Sequence, residues 1–153
     1  DYTYLGEDMN TREAGVRFAL KPDCDKVNWR RWSEWDVYPD DFIGRTEGKA
    51  KAHRDAKWGE EQWNKRPTWP WSQDQTEMGT NDFRSVKFNI YEASLVNPKG
   101  VGLAVHANAD AHVRPAMAKD AANMHILSYC RLGQVLLKKG DHLTGEYVVE
   151  ILK

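Results

Sequence analysis

Cysteine is scarce in this chain: Cys24 and Cys130 are all that its 153 residues contain. That excludes a small scaffold stapled by disulfides, which needs cysteine at high density. With 41% hydrophobic residues the chain can build its own core, so two buried free thiols are expected, with a single Cys24–Cys130 disulfide as the alternative. Long apolar runs are missing too. No stretch approaches the roughly 20 residues that a membrane-spanning helix needs. Neither sign of charge dominates, because 22 Lys and Arg face 23 Asp and Glu for a net charge of -1. Without a basic field, nucleic acid and anionic membrane are excluded as expected partners. The first residue is Asp1, with no Met, charged n-region or apolar h-region behind it. The expectation is a chain without a signal peptide, either mature or excised from a secreted parent. Compartment is left open, with periplasmic or secreted placement ahead of cytoplasmic.

Several chemical signatures are also lacking. Five histidines (His53, His106, His112, His125, His142) form no HExxH, and neither cysteine lies in a Cys-x-x-Cys pair. There is no Gly-x-Ser-x-Gly elbow, phosphate loop or dinucleotide fingerprint. No cofactor and no metal are expected. His106 and His112 could face one site together, but ordinary surface or strand positions are the expectation.

What is present is alternation. Val16, Phe18 and Leu20 alternate with Arg17 and Ala19, and Val86, Phe88 and Ile90 alternate with Lys87, Asn89 and Tyr91. Val101, Leu103, Val105 and Ala107 repeat the pattern, as do Tyr147, Val149 and Ile151. Successive strand side chains point to opposite sheet faces, so period two predicts half-buried antiparallel strands. Asn97-Pro98-Lys99-Gly100 supplies a turn, making 86–95 and 101–107 a hairpin. Lys139-Gly140-Asp141 separates Val135–Leu137 from the terminal strand. The fold class predicted is all-β, an antiparallel β-sandwich spanning residues 1–153 as a single domain.

Two stretches break the pattern. Residues 114–123 are alanine-rich, with Pro115 suited to a first helical turn, and predict one short helix. Residues 40–82 hold glycine, proline and dense charge without periodicity, and read as a long loop of the kind that is functional or packed against something else.

All seven tryptophans fall between 29 and 71: Trp29, Trp32, Trp35, Trp58, Trp63, Trp69 and Trp71. Flat aromatic faces stack on the C–H faces of a pyranose, while carboxylates and Arg bond its hydroxyls. In Arg66-Pro67-Thr68-Trp69-Pro70-Trp71 two prolines stiffen such a platform. The carbohydrate-binding candidates are therefore Trp58, Trp69, Trp71, Glu77, Asp82 and Arg84. Structural or interdomain packing is the competing role, and Trp29, Trp32 and Trp35 lean that way. Carboxylates are plentiful from Glu34 to Asp82, but a retaining glycosidase needs two of them about 5–5.5 Å apart, and exposed loop acids are the simpler expectation. No catalytic residue is assigned.

Read in order, certain segments resemble the last domain of glycoside hydrolase family 2 enzymes of the β-galactosidase type. They are Val27-Asn28-Trp29, then Trp35-Asp36-Val37-Tyr38-Pro39-Asp40, Glu77-Met78-Gly79 and Asp82-Phe83-Arg84. Gly100-Val101-Gly102-Leu103 with Val105, the short helical stretch Pro115–Asn123, and the strand His125-Ile126-Leu127 follow. The resemblance runs over roughly residues 16–152. It implies a supersandwich related to the galactose mutarotase fold, supporting a separate catalytic barrel and other domains of a parent enzyme that hydrolyses β-galactosides with retention. Such a barrel takes about 250 residues and cannot lie inside this chain. The sequence departs from the family at 138–145, Lys-Lys-Gly-Asp-His-Leu-Thr-Gly, where the family carries a glycine-rich segment with tryptophan. No position matches the aromatic that a loop of this domain lends to the family's active site.

Three functions follow as expectations. The leading one is a non-catalytic domain of such a glycosidase, in contact with its barrel and with galactosides or polysaccharide. The alternative is an autonomous carbohydrate-binding module built on the Trp-rich loop. The last is a stand-alone enzyme, for instance a small epimerase using His and Glu.

Overall fold

A computed structural model of the chain describes residues 1–33, 46–52, 73–74, 83, 85–118 and 120–153; at 73–74 and 129–135 the description is of the backbone. The strands, in chain order, are β1 (Tyr2–Thr3), β2 (Met9–Leu20), β3 (Lys26–Arg31), β4 (Glu47–Ala52) and β5 (Gln73–Asp74), followed by β6 (Lys87–Val96), β7 (Gly102–Met117), β8 (Ala122–Leu137), β9 (His142–Leu143) and β10 (Val148–Leu152). Among the described residues there is no helix.

The main sheet runs β2-β8-β7-β6-β3-β4-β5, and β10 also pairs with β7. Its pairs are antiparallel except the short parallel β4–β5 contact. The period-two pattern explains how this sheet acquires a dry side. Ala50, Val27, Leu95 and Leu103 stand opposite one another across four strands, and Trp29, Ala93 and Val105 form the next row. All seven are buried. Polar groups occupy the reverse face: Asn28 Nδ2 donates to Ser94 Oγ, and His106 Nε2 lies 3.1 Å from Glu150 Oε2.

One strand makes the sheet fold over. Along one edge β7 keeps β6 as its neighbour, while along the other it pairs first with β10, through Gly102–His106, and then with β8, through His112–Met117. Between these stretches Ala109 adopts a φ of 63°, and Asn89 on β6 a φ of 57°. The β6–β7 register slips on both sides of Ile90. Such irregularities bend strands and sharpen their twist. The second half therefore carries Val113, Met124 and Ile126 into the same cluster as Val27, Ile90 and Leu95, and the result is an antiparallel β-sandwich around one core. Phe18, Leu20, Tyr147 and Val149 close its margins.

A buried cation is accommodated in that core. Lys87 is 3% exposed, and its Nζ donates to the carbonyl oxygens of Phe83 and Ser85 at 3.1 and 2.9 Å and to Ser85 Oγ. It also stands 4.8 Å from the centre of the Trp29 ring, so carbonyl dipoles and an aromatic face replace water around the charge. Trp29 is structural, as expected of its strand.

The hairpin 86–95/101–107 forms as β6 and β7, closed at Asn97–Gly100 by Gly100 N donating to Asn97 O, with Gly100 at a φ of 84°. Two expectations require correction. The short helix over 114–123 is absent: β7 runs through Pro115 to Met117, Ala118 N donates to Ala121 O, and β8 begins at Ala122. Pairing of Pro115 with Met124 and Met117 with Ala122 buries apolar surface that an isolated helical turn would expose. Nor is 40–82 loop throughout, because β4 lies within it, pairing with β3 and burying Ala50 and Ala52. Cys24 is a buried free thiol whose Sγ lies 3.7 Å from the Val101 carbonyl oxygen, so the disulfide alternative falls away.

Candidate functional site

The sheet's second half has an outer face, and on it one row of side chains crosses three strands. Arg17 on β2 pairs with His125 on β8, which pairs with Arg114 on β7. Paired residues project to the same face, so two guanidiniums flank one imidazole. In the next row Gly15 stands opposite Leu127. A Cβ at Gly15 would collide with the Ile126 carbonyl oxygen and come within 2.7 Å of Leu127 Cα. Only glycine lets the backbones approach this closely, and its missing side chain leaves the surface open.

Arg114 reaches Glu13, 101 positions away in sequence. Its Nε and Nη2 both donate to Glu13 Oε2, at 3.1 and 2.6 Å. About a quarter of each side chain remains exposed, 27% and 28%. Arg17 has no ion-pair partner among the described residues. Burial, then Arg114 and Arg17, hold the His125 imidazole below its ordinary value against the opposing pull of Glu13, so the ring is neutral near pH 7.

The opposite wall is the N-terminal segment. β1 pairs with β9 through Tyr2–Leu143 and Thr3–His142. Tyr4 N donates to Asp141 O, Gly140 N donates to Tyr4 O, and Tyr4 Oη donates to the Glu7 carbonyl at 2.6 Å. Asp141 Oδ2 accepts from Lys138 N, and Asp8 Oδ1 from Lys139 N. The segment 138–143 thus clamps residues 2–8 in place.

Between these walls lies an open cleft of about 600 Å³, lined by Tyr2, Tyr4, Glu13, Arg17, Arg114 and His125 and, on its apolar side, by Leu5, Met9, Leu127, Leu137 and Leu143. Its chemistry is that of a binding site for a polar molecule with apolar faces: aromatic and aliphatic surface, two guanidinium forks and a neutral imidazole able to donate and accept. Among the described lining residues the single carboxylate, Glu13, is already bonded to Arg114. Among the described residues no cluster of three metal-ligating side chains occurs.

The sequence pointed elsewhere. Trp58, Trp69, Trp71, Glu77, Asp82 and Arg84 all lie outside the described residues. Trp32 is 48% exposed and takes no place in the core. His106 and His112 do not share a site: His106 meets Glu150, whereas the His112 Nδ1 accepts the Asn89 N–H at 3.0 Å. Glu13, Arg114 and His125 went unassigned as site residues, and Arg17 served only as the wet position of an alternating strand. Alternation places Arg17 on the outer face, but nothing local in the sequence pairs it with His125.

Comparison of the chain with protein-family models, with curated proteins and with solved structures finds no match.

Proposed function

We propose that this chain is a non-catalytic β-sandwich domain of a family 2 glycoside hydrolase of the β-galactosidase type, supporting the catalytic barrel and contacting carbohydrate. The observation that carries the reading is the cleft on the outer face of β2, β8 and β7. It offers a sugar tyrosines, leucines and two arginines, yet the one carboxylate among its described lining residues, Glu13, is engaged by Arg114. Glycoside hydrolysis with retention uses a pair of carboxyl groups about 5–5.5 Å apart, so a cleft of this composition suits binding. The remaining ordered motifs from Val27 to Val105 and at His125–Leu127, with the antiparallel sandwich, support the family assignment. Pro115–Asn123, helical in the family pattern, instead forms the end of β7, a turn and the start of β8 here. The supersandwich architecture is the finer form of the reading.

Deleting this segment from the full-length gene product tests the reading. Reduced hydrolysis of a chromogenic β-galactoside and a lower Tm are expected. A parent that stays equally active and stable without it overturns the proposal.

The cleft also favours the second reading, an autonomous carbohydrate-binding module. Titration of the 153-residue chain with galactosides separates the two: saturable binding independent of any barrel supports the module. Loss of that binding in Arg17→Ala locates it in the cleft, and loss in Trp69→Ala or Trp71→Ala locates it in the Trp-rich stretch.

A further inference from the structure

We infer that the Arg17–His125–Arg114 row selects an acidic saccharide, one whose carboxylate or sulfate oxygens lie across the row while its ring rests against the cleft's apolar side. The inference rests on the carbohydrate reading of the cleft and adds to it the charge of the ligand.

Three observations lead there. The first is surplus charge: among the described residues lining the cleft two guanidiniums face one carboxylate, a local excess of positive charge in a chain whose overall charge is -1. The second is vacancy. Arg114 uses Nε and Nη2 on Glu13, which leaves Nη1 for a ligand, and Arg17 has no ion-pair partner among the described residues. The third is arrangement. Glu13 fixes the Arg114 guanidinium before any ligand arrives, which removes part of the ordering cost of binding. Planar guanidinium forks match oxyanions through paired, charge-assisted bonds. His125 stands between the two arginines in register, where an N–H can supply a further donor. Leu5, Leu127 and Leu143 provide the apolar surface for a pyranose face. A neutral sugar would use the leucines and tyrosines but leave the Arg17 charge unanswered.

The test is isothermal titration of the 153-residue protein with D-galacturonate, D-galactose 6-sulfate, D-galactose and sodium acetate, repeated on Arg17→Ala. A charge-assisted bond from arginine is worth roughly tenfold in affinity. Either acidic sugar is therefore expected to bind at least about tenfold tighter than galactose and than acetate, and to lose about tenfold in Arg17→Ala. Whichever acid binds more tightly tells carboxylate from sulfate. Arg17 is exposed, so its removal leaves the fold intact. Galactose binding as well as the acids overturns this inference and leaves the carbohydrate reading standing. Acetate binding as well as galacturonate overturns the sugar contact, and absence of binding by all four ligands overturns both.

Discussion

Glu13 and Arg114 meet across β8, with one carboxylate oxygen accepting two guanidinium bonds at 2.6 and 3.1 Å. Neither strand pairs directly with the other; both pair with β8. The ion pair therefore ties the outer face of β2 to that of β7 over the intervening strand. With only about a quarter of each side chain exposed, it is more than a screened surface contact. Glu13→Gln is expected to lower the unfolding free energy by about 1–3 kcal/mol. Urea denaturation measures it, and an unchanged midpoint would show that the pair contributes nothing to stability.

The shared core makes a second prediction. Ile126 and Met124 are fully buried in the cluster that both halves of the sandwich build. Ile126→Ala should cost about 2–5 kcal/mol, the sum of lost transfer energy and a residual cavity. Val148→Ala, at a position 65% exposed, should stay within about 0.5 kcal/mol of the parent. Equal losses at the two sites would contradict the assigned core.

Stability should fall on mild acidification. Burial holds His112 below its ordinary value of 6.5, and His125 is lowered too, by burial and then Arg114. A histidine lowered in the fold binds protons more readily when unfolded, so its contribution is complete above about pH 6.5 and is lost as pH falls towards the native value. Burial outweighs the Ala111 backbone bond and the Asp110 charge, which both pull the other way at His112. Protonation of Nδ1 would also break the bond it accepts from the Asn89 N–H. Urea midpoints taken from about pH 7.5 to 5 should decline, and His112→Gln should flatten part of that slope. A midpoint that rises on acidification would reverse the assignment.

Two glycines should respond differently to alanine. Gly100 has open space around its Cβ position but a φ of 84°, so Gly100→Ala should cost about 1–2 kcal/mol of backbone strain. At Gly15 the new methyl would meet the Ile126 carbonyl oxygen, and β2 must move away from β8. Gly15→Ala should cost more, and in chemical-shift mapping by NMR it should perturb Arg17 and His125. A silent Gly15→Ala would mean that the close approach is not required.

Cys24 offers a check on burial near the β6–β7 turn. The thiol is lifted above its usual range, by desolvation first and then by Asp23 and Asp25. In a Cys130→Ala background it should react with a thiol reagent only after denaturant is added. Rapid reaction under native conditions would place it at the surface.

Much of the fold was legible because it depends on nearest neighbours in sequence. The hairpin of β6 and β7 is written in two alternating runs and in Asn97–Gly100, where proline presets one φ and glycine accepts a positive one. Residues 114–123 misled for the same reason. Their alanines favour a helical turn locally, and only pairing with β8, which buries Met124 and Ala122, makes an extended chain the better solution. Pro115 is tolerated in that strand because β6 begins at Lys87, opposite Val113, so β8 is the one strand paired with β7 at Pro115 among the described residues. β4 was hidden by its small, charged composition, Glu-Gly-Lys-Ala-Lys-Ala, in which two alanines alone face the core.

The amino-acid order by itself determined the period of the backbone and hence the all-β class, and the absence of a dominant charge. Dry positions followed the alternation at Phe18, Leu103 and Val105, but Lys87, read as wet, is buried, and Val16 and Ile151, read as dry, are exposed. Tertiary structure alone decided which wet positions meet. Arg17, His125 and Arg114 become one row, and Glu13 becomes the partner of Arg114, only through the register of β2 on β8 and of β8 on β7. Alternation tells each strand which way a side chain points, but not how far the strand slides along its neighbour. For β2 on β8 that sliding is set by the bulges and by Gly15, through partners more than a hundred residues along the chain, whereas the turn closed by Ala118 N and Ala121 O sets β8 on β7.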